Sequence, residues 1–320
     1  MLRHWHTMMV FPLFLFLFAG CTTAGDYKQP ITAFGAATKV AQTSLEDYSR
    51  TLATAFVEED IQKILARTSD LTRLGGDCIG NAQRCRLVVR TMVAGQFVEH
   101  ELTPVFVADR IMAGVVTYAD NLGAIAAVDA QKDIKTRVDE AMANLGVLAK
   151  DVDSLTGNRA NLSATISPFL TPIGQAIGFA LGAYVDRQKI EALRQTTSAM
   201  DSIFPSLTLL FSASADAVVT TRRVELQRAY NAADQAFVSE QTRSRMSLDA
   251  VRSAAAAYDR ALAINPAAPF VALEQAHAAL NRALNDPNPS FDTALAQAQR
   301  VAAEARRVAT IIAAFESASK

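Results

Sequence analysis

Apolar residues along this chain recur mostly at alternating steps of three and four. Ala41, Leu45, Tyr48, Leu52 and Ala55 do so first, and that spacing stacks side chains on one face of a helix. It predicts a first helix over about residues 37–68. Residues 86–103 fit neither the helical nor the strand period. Leu87, Val88, Val89, Met92, Val93, Phe97 and Val98 crowd together there, which leaves a short irregular segment or a strand pair open. The helical step returns at Ile111, Val115, Tyr118, Leu122 and Ile125, then continues through Val138, Met142, Leu145, Leu148, Val152 and Leu155. One or two helices over about 105–156 follow. Gly157-Asn158 is the expected stop, and the polar run from Asp129 to Arg137 fits a local break or an exposed face.

From Ala183 to the C-terminus there is no glycine, and the prolines are Pro205, Pro266, Pro269, Pro287 and Pro289. Inside a helix glycine costs about 1 kcal/mol relative to alanine and proline about 3, so these breakers partition the region. The expectation is a helix reaching about Ser202, another over 206–264, a shorter one over 269–285 and a last over 290–317. Unbroken, the stretch from Ser206 to Ile264 would span about 88 Å at 1.5 Å per residue. A bend between Asn231 and Met246 would halve it. Leu248, Val251, Ala255, Tyr258 and Leu262 form one apolar stripe, and Leu295, Ala298, Ala302, Ala305, Ile312 and Phe315 another. Stripes of this kind need partner helices. The fold class expected is therefore all-α: an elongated antiparallel bundle of long helices with alanine-rich seams.

Ala257-Tyr258-Asp259-Arg260-Ala261-Leu262-Ala263-Ile264-Asn265-Pro266 resembles the end of the second helix of a tetratricopeptide repeat. A repeat array would show copies about thirty-four residues apart, and none recurs. The reading kept is a helix ending at Asn-Pro.

The N-terminus changes the picture from fold to address. A basic start with Arg3 is followed by an apolar run from Met8 to Phe18, then Ala19, Gly20 and Cys21. The run contains Pro12 and is far short of the roughly twenty residues a spanning helix needs, so residues 1–20 read as a signal peptide. Phe18-Ala19-Gly20-Cys21 resembles the lipobox of bacterial lipoproteins, with Phe18 where that family prefers Leu. The resemblance implies that Cys21 becomes the acylated N-terminus. Two or more acyl chains anchor a protein stably. Thr22 and Thr23, where an acidic residue would imply inner-membrane retention, imply by the same resemblance an outer-membrane lipoprotein facing the periplasm. Residues 22–36, including Pro30, read as a tether. The bundle would then occupy 37–320, with a possible subdivision near 157–205.

The formal net charge is −1, so no overall field attracts nucleic acid. Half of the residues are hydrophobic, enough for a substantial core in one or two domains. Cys78 and Cys85 flank Ile79-Gly80-Asn81-Ala82-Gln83-Arg84 in a glycine-containing loop. In an oxidising compartment they are expected to pair; two thiolates with no nearby histidine do not complete a zinc shell. Outside the leader the only histidines are His100 and His277. His100-Glu101 lacks the second histidine of a zinc-protease helix, and neither a Gly-x-Ser-x-Gly elbow nor a phosphate-binding Gly-x-x-x-x-Gly-Lys is present. No catalytic residue, metal or cofactor is expected. Glu58-Glu59, Arg222-Arg223 and Arg306-Arg307 read as solvated helix faces.

Residues 160–185 carry no charge, and within them Gly174, Gly178 and Gly182 recur every fourth residue. Such a smooth ridge lets helix backbones approach closely. About fourteen residues run from Pro172 to Asp186, short for a membrane span, so the ridge reads as helix packing inside the bundle. The functional expectation is a lipid-anchored envelope protein with a structural, adaptor or protein-binding role, through a protein partner or self-association. The alternative is a membrane-active protein, resembling helical pore formers, that uses the apolar segment 160–185.

Overall fold

The computed structural model describes residues 27–67, 69–74, 86–101, 107–156, 161–167, 184–239, 244–286 and 290–318. Over these the chain is an all-α helical bundle with one small antiparallel sheet.

Helix α1 runs over Lys28–Leu65, not from residue 37. The expected tether over 22–36 thus loses residues 28–36 to the helix. Tyr27, Ile31, Phe34, Ala37, Ala41, Leu45 and Tyr48 form one buried stripe, and Pro30 lies in the first turn, where its missing N–H costs no intrahelical bond. Arg67, with φ 57°, turns the chain out of α1.

Strand β1 (Ser69–Leu74) follows, and pairs antiparallel with β2 (Arg86–Val93), which pairs with β3 (Gln96–Glu101). The strand pair left open over 86–103 is present. The additional strand, β1, was not expected and begins just past the expected end of the first helix.

Helices α2 (Val107–Ala127) and α3 (Gln131–Thr156) are separated by a short break at 128–130. They are antiparallel and close: a Cβ on Gly114 would lie 3.1 Å from Leu148 Cδ1. The short α4 (Leu162–Ile166) is held by Asp153 of α3, whose two carboxylate oxygens accept from Leu162 N–H and Ser163 N–H, both at 2.7 Å.

Helix α5 (Tyr184–Asp201) meets α6 (Phe204–Ser239) at a 50° bend. Pro205 sits in the first turn of α6, where it is tolerated. The long run expected over 206–264 is two helices, α6 and α7 (Arg245–Leu262), with Ser244 capping α7 by accepting from Ser247 N–H at 3.1 Å. α7 stops before Asn265-Pro266. No residue of 227–239 or of 244–256 is buried, so this hairpin projects as a two-helix arm. Helices α8 (Ala268–Asn285) and α9 (Asp292–Ala318) close the chain near their expected bounds.

A single cluster of buried side chains extends from Tyr27 to Val308. Helix α1 lies at its centre, packed on α2, α6, α8 and α9. α1 and α2 are antiparallel, with Lys39 on Asp120 at 2.9 Å and Ser49 donating to Asp109 at 2.6 Å. α1 and α9 begin side by side, Tyr27 against Phe291. The sheet lies at the other end of α1.

Candidate functional site

None of the residues singled out for lipidation, cross-linking or the glycine ridge can be placed: Cys21, Cys78, Cys85, Gly174, Gly178 and Gly182 all lie outside the described residues. Two features that the sequence did not mark stand out instead.

The first is the tip of the β2–β3 hairpin. Val93 and Gln96 are partners, so Ala94-Gly95 is a two-residue turn, with φ of 51° and 82°. Positive φ at both positions is what the right-handed twist of the flanking strands requires. From Thr91 to Val98 there is no charged residue. Met92 pairs with Phe97 on one face, while Val93 and Val98 lie on the other, where Val89 and Ser69 further down are buried. Phe97 is 60% exposed and Met92 58%. Behind the tip, Arg90 binds Glu99 across the strands, with Nε donating to Oε1 at 2.7 Å. Its guanidinium stands 5.4 Å from the Phe97 ring centroid. The result is a small apolar prow backed by an ion pair, a surface suited to docking more than to chemistry.

The second is a polar centre sealed inside the bundle. His277 of α8 is fully buried. Its Nδ1 lies 3.3 Å from Asp201 Oδ1 at the end of α5, and its Nε2 lies 2.8 Å from Tyr118 Oη of α2. An ionised carboxylate only accepts, so Nδ1 carries the hydrogen and Nε2 accepts from the Tyr118 hydroxyl. The Phe204 ring stacks on the imidazole at 4.5 Å, and Phe34 tilts against it at 5.8 Å. Burial holds His277 below the ordinary histidine value, against the opposing pull of Asp201 and Glu274. The hydrogen bond from His277 holds Asp201 below the usual carboxylate range, with Asn281 and Arg282 assisting. Burial, then the Asp201 charge, pushes the Tyr118 hydroxyl well up.

Asp, His and Tyr in line have the outline of an acid–base relay. Here Tyr118 and His277 are both fully buried, and only Asp201 reaches solvent. The line joins helices and offers a substrate no approach to the imidazole. Sequence reading missed it because Tyr118 and His277 are 159 residues apart, with no local motif at either.

Among the described residues no group of three or more His, Cys, Asp or Glu side chains is placed to hold a metal ion. No single helix there is long and apolar enough to cross a membrane. The apolar stretch at the α5–α6 bend is core, with Ile203, Phe204, Leu207 and Phe211 all buried.

Comparison with known proteins gives the fold no relatives: no family model, no curated protein and no solved structure matches the chain. The class of protein is thus set by architecture alone, a helical bundle carrying a projecting three-stranded sheet.

Proposed function

We propose that this is a lipid-anchored envelope protein, tethered through acylated Cys21 and facing the periplasm, whose bundle holds an apolar hairpin away from the membrane for a protein partner. The observation that carries this reading is the layout of α1. The helix begins seven residues after Cys21 and is followed at its far end by the sheet. Thirty-eight residues at 1.5 Å each make it about 57 Å long. An anchor at Cys21 would therefore hold one end of the bundle, and Met92, Val93, Phe97 and Val98 would stand at the other. A tip that far from its own anchor meets a protein in the periplasmic space more readily than the anchoring bilayer.

The test uses the full chain in its native envelope. Cys21→Ala should move the protein from the membrane to the soluble fraction. A photo-crosslinker at Met92 should yield one discrete adduct that Phe97→Asp abolishes, while a crosslinker at exposed Leu209 should not. Soluble wild-type protein would overturn the anchor, and adducts to lipid alone would overturn the protein partner. Release of vesicle dye by the unacylated chain would favour the membrane-active alternative.

A further inference from the structure

We propose that His277 is a pH-responsive latch: in its neutral form it clamps the bend between α5 and α6, and on protonation in mild acid it lets that bend open. The bend is short, and His277 grips both of its sides. Asp201, the last residue of α5, accepts from Nδ1–H. Phe204, the first residue of α6, stacks on the ring with 29° between the planes. Tyr118 of α2 closes the third side through Nε2.

Neutral imidazole satisfies every one of these partners; imidazolium does not. With hydrogens on both nitrogens the ring can only donate. The Tyr118 oxygen would then have to accept, and its own hydrogen would lose the acceptor it has in Nε2, beside the Phe34 ring. A buried donor left without an acceptor is costly, and so is a charge taken out of water. A favourable contact of the cation with the stacked Phe204 face offsets part of this.

The groups bearing on the ring set the balance. Asp201 and Glu274 favour the proton, while burial opposes it and prevails. Arg282 acts on Asp201. Helices α1 and α6 bring aromatic rings to the imidazole. Asp201 is 44% exposed, so it offers the proton a route from solvent to a ring that is otherwise sealed.

The sign follows from linkage. A histidine held below its unfolded value of about 6.5 binds fewer protons folded than unfolded. The stability it contributes is complete above that value and is lost as pH falls through it toward the folded value. Each unit of depression is a tenfold factor in the opening equilibrium.

The experiment combines histidine NMR with hydrogen exchange on the mature protein between pH 7.5 and 5. The His277 ring signal, assigned by its loss in His277→Gln, should titrate below 6.5. Backbone amides of Ile203, Phe204, Ser206 and Leu207, corrected for intrinsic exchange rates, should lose protection severalfold, up to tenfold, from pH 7.5 to 5.5, while amides of α9 hold theirs. Asp201→Asn leaves the aromatic box intact and removes the anion that favours the proton, so the midpoint should move to lower pH. This second variant keeps the test decisive if His277→Gln fails to fold. Titration at or above 6.5, unchanged protection at the bend, uniform loss of protection throughout the bundle, or an unmoved midpoint in Asp201→Asn would each overturn the latch.

Discussion

Tyr27 and Phe291 meet edge to face, ring centroids 5.6 Å apart, where α1 and α9 begin side by side. The pair closes the end of the bundle nearest Cys21 in sequence. Phe291 is only partly buried, so Phe291→Ala should cost somewhat less than the 3–5 kcal/mol of a fully buried phenylalanine, about 2 kcal/mol. Chemical denaturation checks this, and an unchanged midpoint would show that the contact contributes nothing.

Cys78 and Cys85 are expected to be joined if the protein matures in an oxidising compartment. Closing that loop is worth about 2.5 kcal/mol by chain entropy. Peptide mapping without reduction should recover the linked pair, and Cys78→Ser with Cys85→Ser should lower the thermal midpoint. Two free thiols in protein taken from its native envelope would refute the pairing.

Ala94 holds φ at 51° in the β2–β3 turn, a conformation that costs most L-residues about 1–2 kcal/mol and that asparagine tolerates better. Ala94→Asn should therefore stabilise the hairpin by about 0.5–1 kcal/mol. Its hydrogen-exchange protection is the readout, and a loss of protection would contradict the turn assignment.

Three helical glycines should respond differently to added bulk. A Cβ on Gly35 or Gly123 meets nothing within 4 Å, so Gly35→Ala and Gly123→Ala should each stabilise by up to about 1 kcal/mol. Gly114 faces Leu148 Cδ1 at 3.1 Å, and Gly114→Leu should destabilise by about 1–3 kcal/mol through overpacking. If all three shift the denaturation midpoint alike, the close approach of α2 and α3 is wrong.

Burial by itself would raise the pKa of Asp153, but the N–H groups of Ser163 and Leu162 outweigh it and hold the carboxyl below the usual range. The stability this contributes is present above about pH 3.9 and is lost as pH falls toward the lowered value. Asp153→Ala should cost about 0.5–2 kcal/mol at neutral pH, as for a lost helix cap, and should flatten the acid limb of the stability curve. An equally steep acid limb in the variant would locate the acid sensitivity elsewhere.

The sequence by itself determined the helices and where they stop. Spacings of three and four set the buried faces of α2 and α3, and Pro266, Pro269, Pro287 and Pro289 bounded α7, α8 and α9, because helix periodicity and helix breaking are local properties. It understated α1, since Pro30 was read as part of a tether although a first turn accepts proline. Strand β1 was hidden for another reason: Ser69–Leu74 becomes a strand by pairing with Arg86–Thr91, which no local pattern announces. Only the tertiary structure decided which apolar residues are core and which are surface. Val89 is sealed while Val93 and Phe97 stand in solvent, and what separates them is the element packed alongside. Likewise His277 acquired its meaning from Tyr118, Asp201, Phe34 and Phe204, brought by four other helices to one point in a low-dielectric interior, where each hydrogen bond depends on all of them being in place.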